Sequence, residues 1–244
     1  MSSTYALIFY SHTDYSDAWP PMFEQTNRYF PDHKKYLFSD QYTRELEKEG
    51  WHLIKYDDSQ RYQQRVIACL DQIEEEVVLF HHEDMFLYDE PKYEYLDNIA
   101  AAINNDEIDI VKLICASYAS INFQNTVPPS LPYIFKNPPG LKFAIQPSMC
   151  KKSALRQVYD KTGGDNIWQF ESFSSQICEY FNIKTGMTYL PEDKKRGQFH
   201  WDSSIYPYFA TAIVKGKWNF TDYEAILRPI LERNHIDHLI RGIC

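Results

Sequence analysis

The chain has 244 residues, 44% hydrophobic and 24% charged, which excludes disorder and low complexity. At that length it buries roughly 70–75% of its unfolded surface, enough for a sizeable core without disulfide or metal staples. Its formal net charge of −9 works against nucleic acid and anionic membranes as partners, since the longest basic stretch is only Lys194-Lys195-Arg196. Thr4 to Tyr10 (TYALIFY) is an apolar, aromatic run that predicts a buried first strand. The polar loop Ser11–Asp17 follows, then a helix to about Tyr29 with Pro20 and Pro21 tolerated near its start. Lys35–Phe38 and Trp51–Tyr56 read as the second and third strands, the former ending in Ser39-Asp40. Asp57 with Gln60 predicts a capping box for the next helix, whose apolar stripe is Val66, Ile67, Leu70 and Ile73. Glu76–Phe80 reads as a fourth, buried strand running straight into His81-His82-Glu83-Asp84.

This strand–helix–strand series predicts an α/β fold with a mostly parallel central sheet and helices on both faces. Ligands in such sheets bind beyond the carboxyl ends of the strands. The loops Ser11–Asp17, Ser39-Asp40 and His81–Asp84 all sit there, so Glu83 and Asp84 are expected beside the Ser11–Asp17 loop. The second half is less regular. Pro128–Pro139 breaks helices, Lys142–Ile145 reads as a strand, Lys151–Asp160 as a short helix and Gly163-Gly164 as a turn. Trp168–Phe181 is helix-like and Ile205–Lys215 strand-like. Thr221 with Glu224 predicts a capping box for a last helix, with Tyr223, Ile226, Leu227, Ile230 and Leu231 on its apolar stripe and Pro229 as a kink. No repeat or linker interrupts the chain, so one domain over 1–244 is expected. Five cysteines, an odd number without a CxxC pair, argue against a disulfide framework and a structural zinc site, and fit a reducing, cytoplasmic setting. No run of 18 apolar residues predicts a transmembrane segment, and the N-terminus lacks the basic start of a signal peptide.

The strongest local signal for chemistry is VVLFHHEDM. Two adjacent carboxylates at the end of a buried strand can hold a divalent cation that neutralises a diphosphate leaving group; the alternative is a solvated loop or a helix cap. Neighbouring residues on a strand face opposite ways, so one histidine of the pair is expected in the core and the other at the cleft, which argues against zinc. The second signal is GGDNIWQFE over Gly163–Glu171. Trp168 can form a sugar-stacking wall, and Glu171 beside apolar rings can act as a general base; the alternative is an ordinary helix start with core aromatics. The 16% aromatic content fits either a packed core or a cleft that stacks rings. GxSxG, P-loop, GxGxxG and HExxH patterns are all missing.

Taken in order, SHTDYSDAWPPMFEQTNRYFPDHKKYLFSD, DDSQRYQQRVIACLDQIEEEVVLFHHEDMFLYD, AIQPSMCKKSALRQVY with IWQFE, and YPYFATAIVKGKW resemble successive blocks of the GT-A type nucleotide-sugar glycosyltransferases, over about residues 5–218. The resemblance implies a GT-A fold, with a nucleotide-binding N-terminal half and an acceptor-binding C-terminal half. It implies that Ser11, His12, Thr13, Asp14, Asp17, Asp40 and Arg65 hold the nucleotide sugar, together with Glu83 and Asp84 at the acidic motif. It implies Glu171 as catalytic base, Gln146 and Trp168 on the acceptor side, and Mn²⁺ or Mg²⁺ held by Asp84 and Glu83, with His200 as a late ligand. The chain departs from the pattern at Met85, where the motif has its second Asp, and at Met149-Cys150, where the family often has an aromatic.

The reading that follows is transfer of a sugar from a nucleotide-diphosphate donor to a hydroxyl of a glycan or glycoconjugate, by inverting direct displacement. The alternatives are a non-catalytic sugar-binding or scaffold module of the same fold, a nucleotidyltransferase, whose first loop would be rich in Gly and Lys or Arg, and a metal-dependent phosphoesterase, which needs more His and Asp ligands.

Overall fold

Alternation along the first strand sets the layering. A computed structural model describes residues 4–41, 50–115, 126–137, 140–164, 167–196 and 200–244, apart from the side chains of Trp168 and His200. In β1 (Ala6–Tyr10), Leu7 and Phe9 face one core, and Ala6, Ile8 and Tyr10 face another. On the first side pack α1 (Trp19–Tyr29), α3 (Tyr93–Asn104) and α6 (Phe220–Arg233). On the second pack α2 (Tyr62–Leu70), α4 (Lys152–Lys161) and α5 (Ile167–Tyr180). A strand whose residues are all buried, as these five are, needs such cover on both faces.

The strands are β2 (Lys35–Ser39), β3 (Trp51–Lys55), β4 (Val77–His82), β5 (Ile110–Lys112), β6 (Ile134–Lys136), β7 (Ser148–Lys151) and β8 (Thr185–Thr188), in the order β3-β2-β1-β4-β7-β5-β8-β6. β3, β2, β1 and β4 run parallel, as do β5 and β8, while β7 and β6 oppose their neighbours. The expected α/β architecture, a largely parallel sheet covered on both faces, is therefore present. The chain winds outward from β1 to β2 and β3, then returns to lay β4 on the other flank of β1. That reversal opens a crevice at the carboxyl ends of β1 and β4.

Several local expectations are corrected. Lys142–Ile145 is not a strand: Phe143 and Ile145 are buried, but Gln146 N–H turns back to the Ala144 carbonyl, and the ladder begins six residues later than expected, at Ser148. Apolar spacing there reported burial and not pairing. Asp57 does not cap α2. Its carboxylate accepts from the Ser59 amide at 3.0 Å and the Ser59 hydroxyl at 2.7 Å, so it closes a turn before the helix begins at Tyr62. Asn219, not Thr221, caps α6, its side chain accepting from the Asp222 amide at 3.1 Å. Ile205–Lys215 forms a strand only at β11 (Ile213–Val214), which pairs with β12 (Lys217–Trp218); β9 (Lys195–Arg196) and β10 (His200–Trp201) make the other two-stranded ribbon. The rest of that segment lies against residues 84–92, with the Tyr88 amide bonded to the Pro207 carbonyl, Phe209 to Phe86 and Ala212 to Asp84. α3, β5, β8 and the strand β6 inside the proline-rich stretch are additions to the sequence reading.

Candidate functional site

The carboxyl ends of β1 and β4 bring together two features. The first is a cavity of about 410 Å³ in the crevice, walled by Tyr10, Tyr62, His82, Ile167 and Phe170. Tyr10 and His82 end the two central strands, and Tyr62 opens α2. Tyr10 meets Tyr62 edge-on at 5.0 Å between centroids and stacks on Tyr56 at 5.2 Å. His82 Nε2 lies 2.9 Å from the Tyr62 hydroxyl, which is 2.9 Å from the Tyr159 hydroxyl. Gly164 also borders the cavity, with φ of +119° and an added Cβ only 2.9 Å from the Phe170 backbone nitrogen, so no other residue fits this turn. The two histidines divide as strand alternation requires. His81 is buried on the other face, stacked on Phe9, with its ring nitrogens 2.9 Å from the Ile8 carbonyl and 2.6 Å from the Tyr206 hydroxyl.

The second feature is the acid pair. Glu83 is 6% exposed, and it follows His82, which pairs with Tyr10 immediately before Ser11. The expected neighbourhood of this pair and the Ser11 loop is therefore present. Burial, and then the Asp84 charge, push the Glu83 carboxyl well above its ordinary range. Burial pushes Asp84 up to about 6, against the Ile213 amide and the Arg241 guanidinium, which favour its ionised form. Two adjacent carboxylates, one buried and one partly exposed, with one guanidinium nearby leave the spot short of positive charge, and such a donor set suits a hard divalent cation. Among the described residues no group of three or more His, Cys, Asp or Glu side chains gathers as a ready metal centre. The Met85 slot, buried and apolar, adds no ligand.

The other expected nucleotide-site residues fall around this edge. Ser11 is fully buried; its Oγ accepts from Trp19 Nε1 at 2.7 Å and its carbonyl from the Tyr56 hydroxyl at 2.7 Å. Asp40 accepts from the Thr13 amide at 2.8 Å and the Thr13 hydroxyl at 2.7 Å; although partial burial pushes upward, these bonds hold its carboxyl below the usual value. His12 Nδ1 accepts from the Asp14 amide at 3.1 Å, and its Nε2 lies 3.7 Å from Asp40 and 3.6 Å from Asp58. Arg65 pairs with Asp58 at 2.7 Å and lies over the Tyr56 ring. Asp17 is taken by Arg241.

Glu171 and Gln146 sit differently. α5 turns Ile167 and Phe170 to the cavity, whereas Glu171 Oε1 accepts from the Ile145 amide at 2.7 Å and is not among the cavity-lining side chains. Burial raises its pKa, with the Ile145 bond and the Lys112 charge opposing. Gln146 accepts from the Tyr208 hydroxyl at 2.8 Å, tying the start of β7 to the 205–213 segment. The side chains proposed as acceptor wall and late ligand, Trp168 and His200, lie outside the described residues. Tyr10, Tyr62 and Arg241 are site residues that escape the sequence reading, Tyr10 being read only as the end of the first strand. The one signal for Tyr62 is its place as the first aromatic of a helix that follows a strand. Arg241 lies 224 positions from Asp17, and no spacing signals that pair.

No family model and no curated protein matches the chain. Among solved structures, it is similar to S. aureus TarS (residues 1–349), at 14% identity over 95% of this chain and 65% of that one, with a TM-score of 0.48. It is also similar to the 2-C-methyl-D-erythritol 4-phosphate cytidylyltransferase of Thermus thermophilus, at 11% identity over 97% of this chain and 100% of that one, with a TM-score of 0.49. A mannosyltransferase of Pyrobaculum calidifontis in complex with GDP-Man and Mn²⁺ gives 9% identity over 79% of this chain and 56% of that one, with a TM-score of 0.46. The chain spans 50% of the bifunctional IspDF from Campylobacter jejuni and 39% of the longer TarS structure. Likenesses at this level carry no activity over to the chain.

Proposed function

We propose that the chain transfers a sugar from a nucleotide-diphosphate donor to a hydroxyl of a glycan or glycoconjugate acceptor. The observation that carries this reading is the meeting, at one sheet crevice, of an aromatic cavity and an acid pair in which Glu83 is buried and Asp84 partly exposed. The cavity suits a planar or ring-shaped group, and the acid pair suits the charged end of the same donor. Asp84 and Glu83 would hold a divalent cation, which neutralises the diphosphate as it leaves. Tyr10 and Tyr62 offer ring faces to the nucleoside, and Asp40 with Thr13 fixes the loop over it. Glu171, whose side chain does not line the cavity, would take the acceptor hydroxyl proton on Oε2, since Oε1 is held by the Ile145 amide. The acceptor oxygen then forms the new bond to the anomeric carbon as the bond to the diphosphate oxygen breaks, with inversion.

Asp84→Asn tests the reading. Calorimetric binding of UDP- and GDP-sugars, with and without Mn²⁺, should show a loss in the variant that is large only when Mn²⁺ is present, because a ligating carboxylate matters only with its cation. Equal losses in both conditions would assign Asp84 to the loop instead. Failure of the wild-type chain to bind any nucleotide sugar would overturn the proposal, and release of pyrophosphate in place of a nucleoside diphosphate would point to nucleotidyl transfer.

A further inference from the structure

The acid pair is enclosed by a closed circuit of contacts whose last link is the C-terminal tail. The Asp84 carbonyl accepts from the Ala212 amide at 3.1 Å, and Ala212 leads into the β11–β12 ribbon, where Ile213 pairs with Trp218. Trp218 in turn is bonded to the tail: its amide donates to the Gly242 carbonyl at 2.9 Å, and the Cys244 amide donates to its carbonyl at 3.1 Å. From the tail, Arg241 reaches back to the turn that follows Ser11. Its Nε donates to Asp17 Oδ2 at 2.6 Å and its Nη2 to both Asp17 Oδ1 and the Asp14 carbonyl, the latter at 3.1 Å. The guanidinium also lies 5.0 Å from the Tyr15 ring centre and 5.7 Å from that of Trp218. The circuit closes at the sheet, where Tyr10 pairs with His82, the residues immediately before Ser11 and Glu83.

The short helix that carries Arg241, α7 (His238–Arg241), buries none of its residues, and Leu239 and Ile240 are 69% and 87% exposed. Apolar packing therefore contributes little to holding it. The Arg241 side chain, only 12% exposed, is the anchor. A bidentate guanidinium–carboxylate pair fixes orientation as well as distance, which a lysine at the same place does not.

We infer that Arg241 is a positioning residue of the donor site, latching the C-terminal tail onto the 13–18 turn so that this turn stays against Glu83 and Asp84. The assignment to a donor rests on the function proposed above; the latch itself does not. It predicts a defect confined to the diphosphate end. With Mn²⁺ present, Arg241→Gln should weaken UDP or GDP binding about tenfold, the scale of one lost charge-assisted contact, while uridine or guanosine binding changes less than about twofold. Arg241→Lys should fall between, and Asp17→Asn should match Arg241→Gln, the double variant being no worse than either because both break one link. Equal weakening of nucleoside and diphosphate, or none, overturns the latch. Amide hydrogen exchange gives a readout free of any ligand. In Arg241→Gln, the Trp218 and Cys244 amides of the tail junction and the Tyr15 amide of the turn should exchange faster together. Faster exchange at the tail alone overturns the latch. If the wild-type chain binds neither UDP nor GDP, that failure belongs to the proposed function, and the exchange pattern alone then decides for or against the latch.

Discussion

Glu171 and Lys112 share one buried neighbourhood, and each makes a separate prediction. Glu171→Gln keeps the oxygen that accepts from the Ile145 amide, so the fold should hold while sugar transfer falls by roughly 10²–10⁴-fold at unchanged donor affinity. Transfer within about threefold of wild type would remove Glu171 from the base role. Lys112, fully buried at the end of β5, donates to the Leu141 carbonyl, and burial pushes its pKa down to about 8 despite the Glu171 charge. The unfolded chain keeps that proton to a pH near 10.4. Between these values the unfolded state binds more protons, so stability attributable to Lys112 rises with pH. The cost of burying its charge is present in full below pH 8. Measured by urea unfolding, the wild type should therefore gain on Lys112→Met by roughly 3 kcal/mol between pH 7 and pH 10.5. A constant difference would show that Lys112 stays charged in the fold. Nothing in KLIC marks this lysine as buried; the strand reading becomes possible only once β7 and β8 flank it.

Local elements were legible where one chemical rule acted alone. β1, β2 and β4 carry continuous apolar or aromatic runs and β3 a shorter one, and α1 carries its prolines at the start, where missing N–H donors cost nothing. The reading failed where two rules competed. Asn219, Thr221 and Asp222 are all capping types, and the pattern Thr-x-x-Glu pointed two residues too far along. Asn219 is 3% exposed and also donates to the Thr211 carbonyl at 3.1 Å, so it ties α6 to the segment over the acid pair. Asn219→Ala should cost about 1–2 kcal/mol in urea unfolding, and Thr221→Ala, on the exposed side, within about 0.5 kcal/mol. The reverse order would restore the capping box read from sequence. β5 and β6, three residues each, and β8, with four, are too short to show a period, and the neighbours that make them strands lie far along the chain.

At the scale of the whole molecule, the strand order is what converts scattered loops into a site. Parallel β1 and β4 put Tyr10 and His82 side by side, and so bring the loop that starts at Ser11 beside Glu83. This much followed from alternating strands and helices. The closure of the site by residues 205–213 and by Arg241 did not, because long-range backbone bonds leave no local pattern. A ligand that bridges the cavity and the acid pair binds the native state alone and must stabilise the whole chain by mass action. A nucleoside diphosphate with Mn²⁺ at 100 times its dissociation constant should add about 2.7 kcal/mol. For a chain of 244 residues that is a rise of roughly 5 °C in Tm. Mn²⁺ alone should give a smaller shift, and Asp84→Asn should abolish the increment that depends on both ligands. A full shift from the nucleoside diphosphate without Mn²⁺, retained in Asp84→Asn, would mean that the charged end of the donor is held by the chain's own cations, with Arg65 and Arg241 the first to replace.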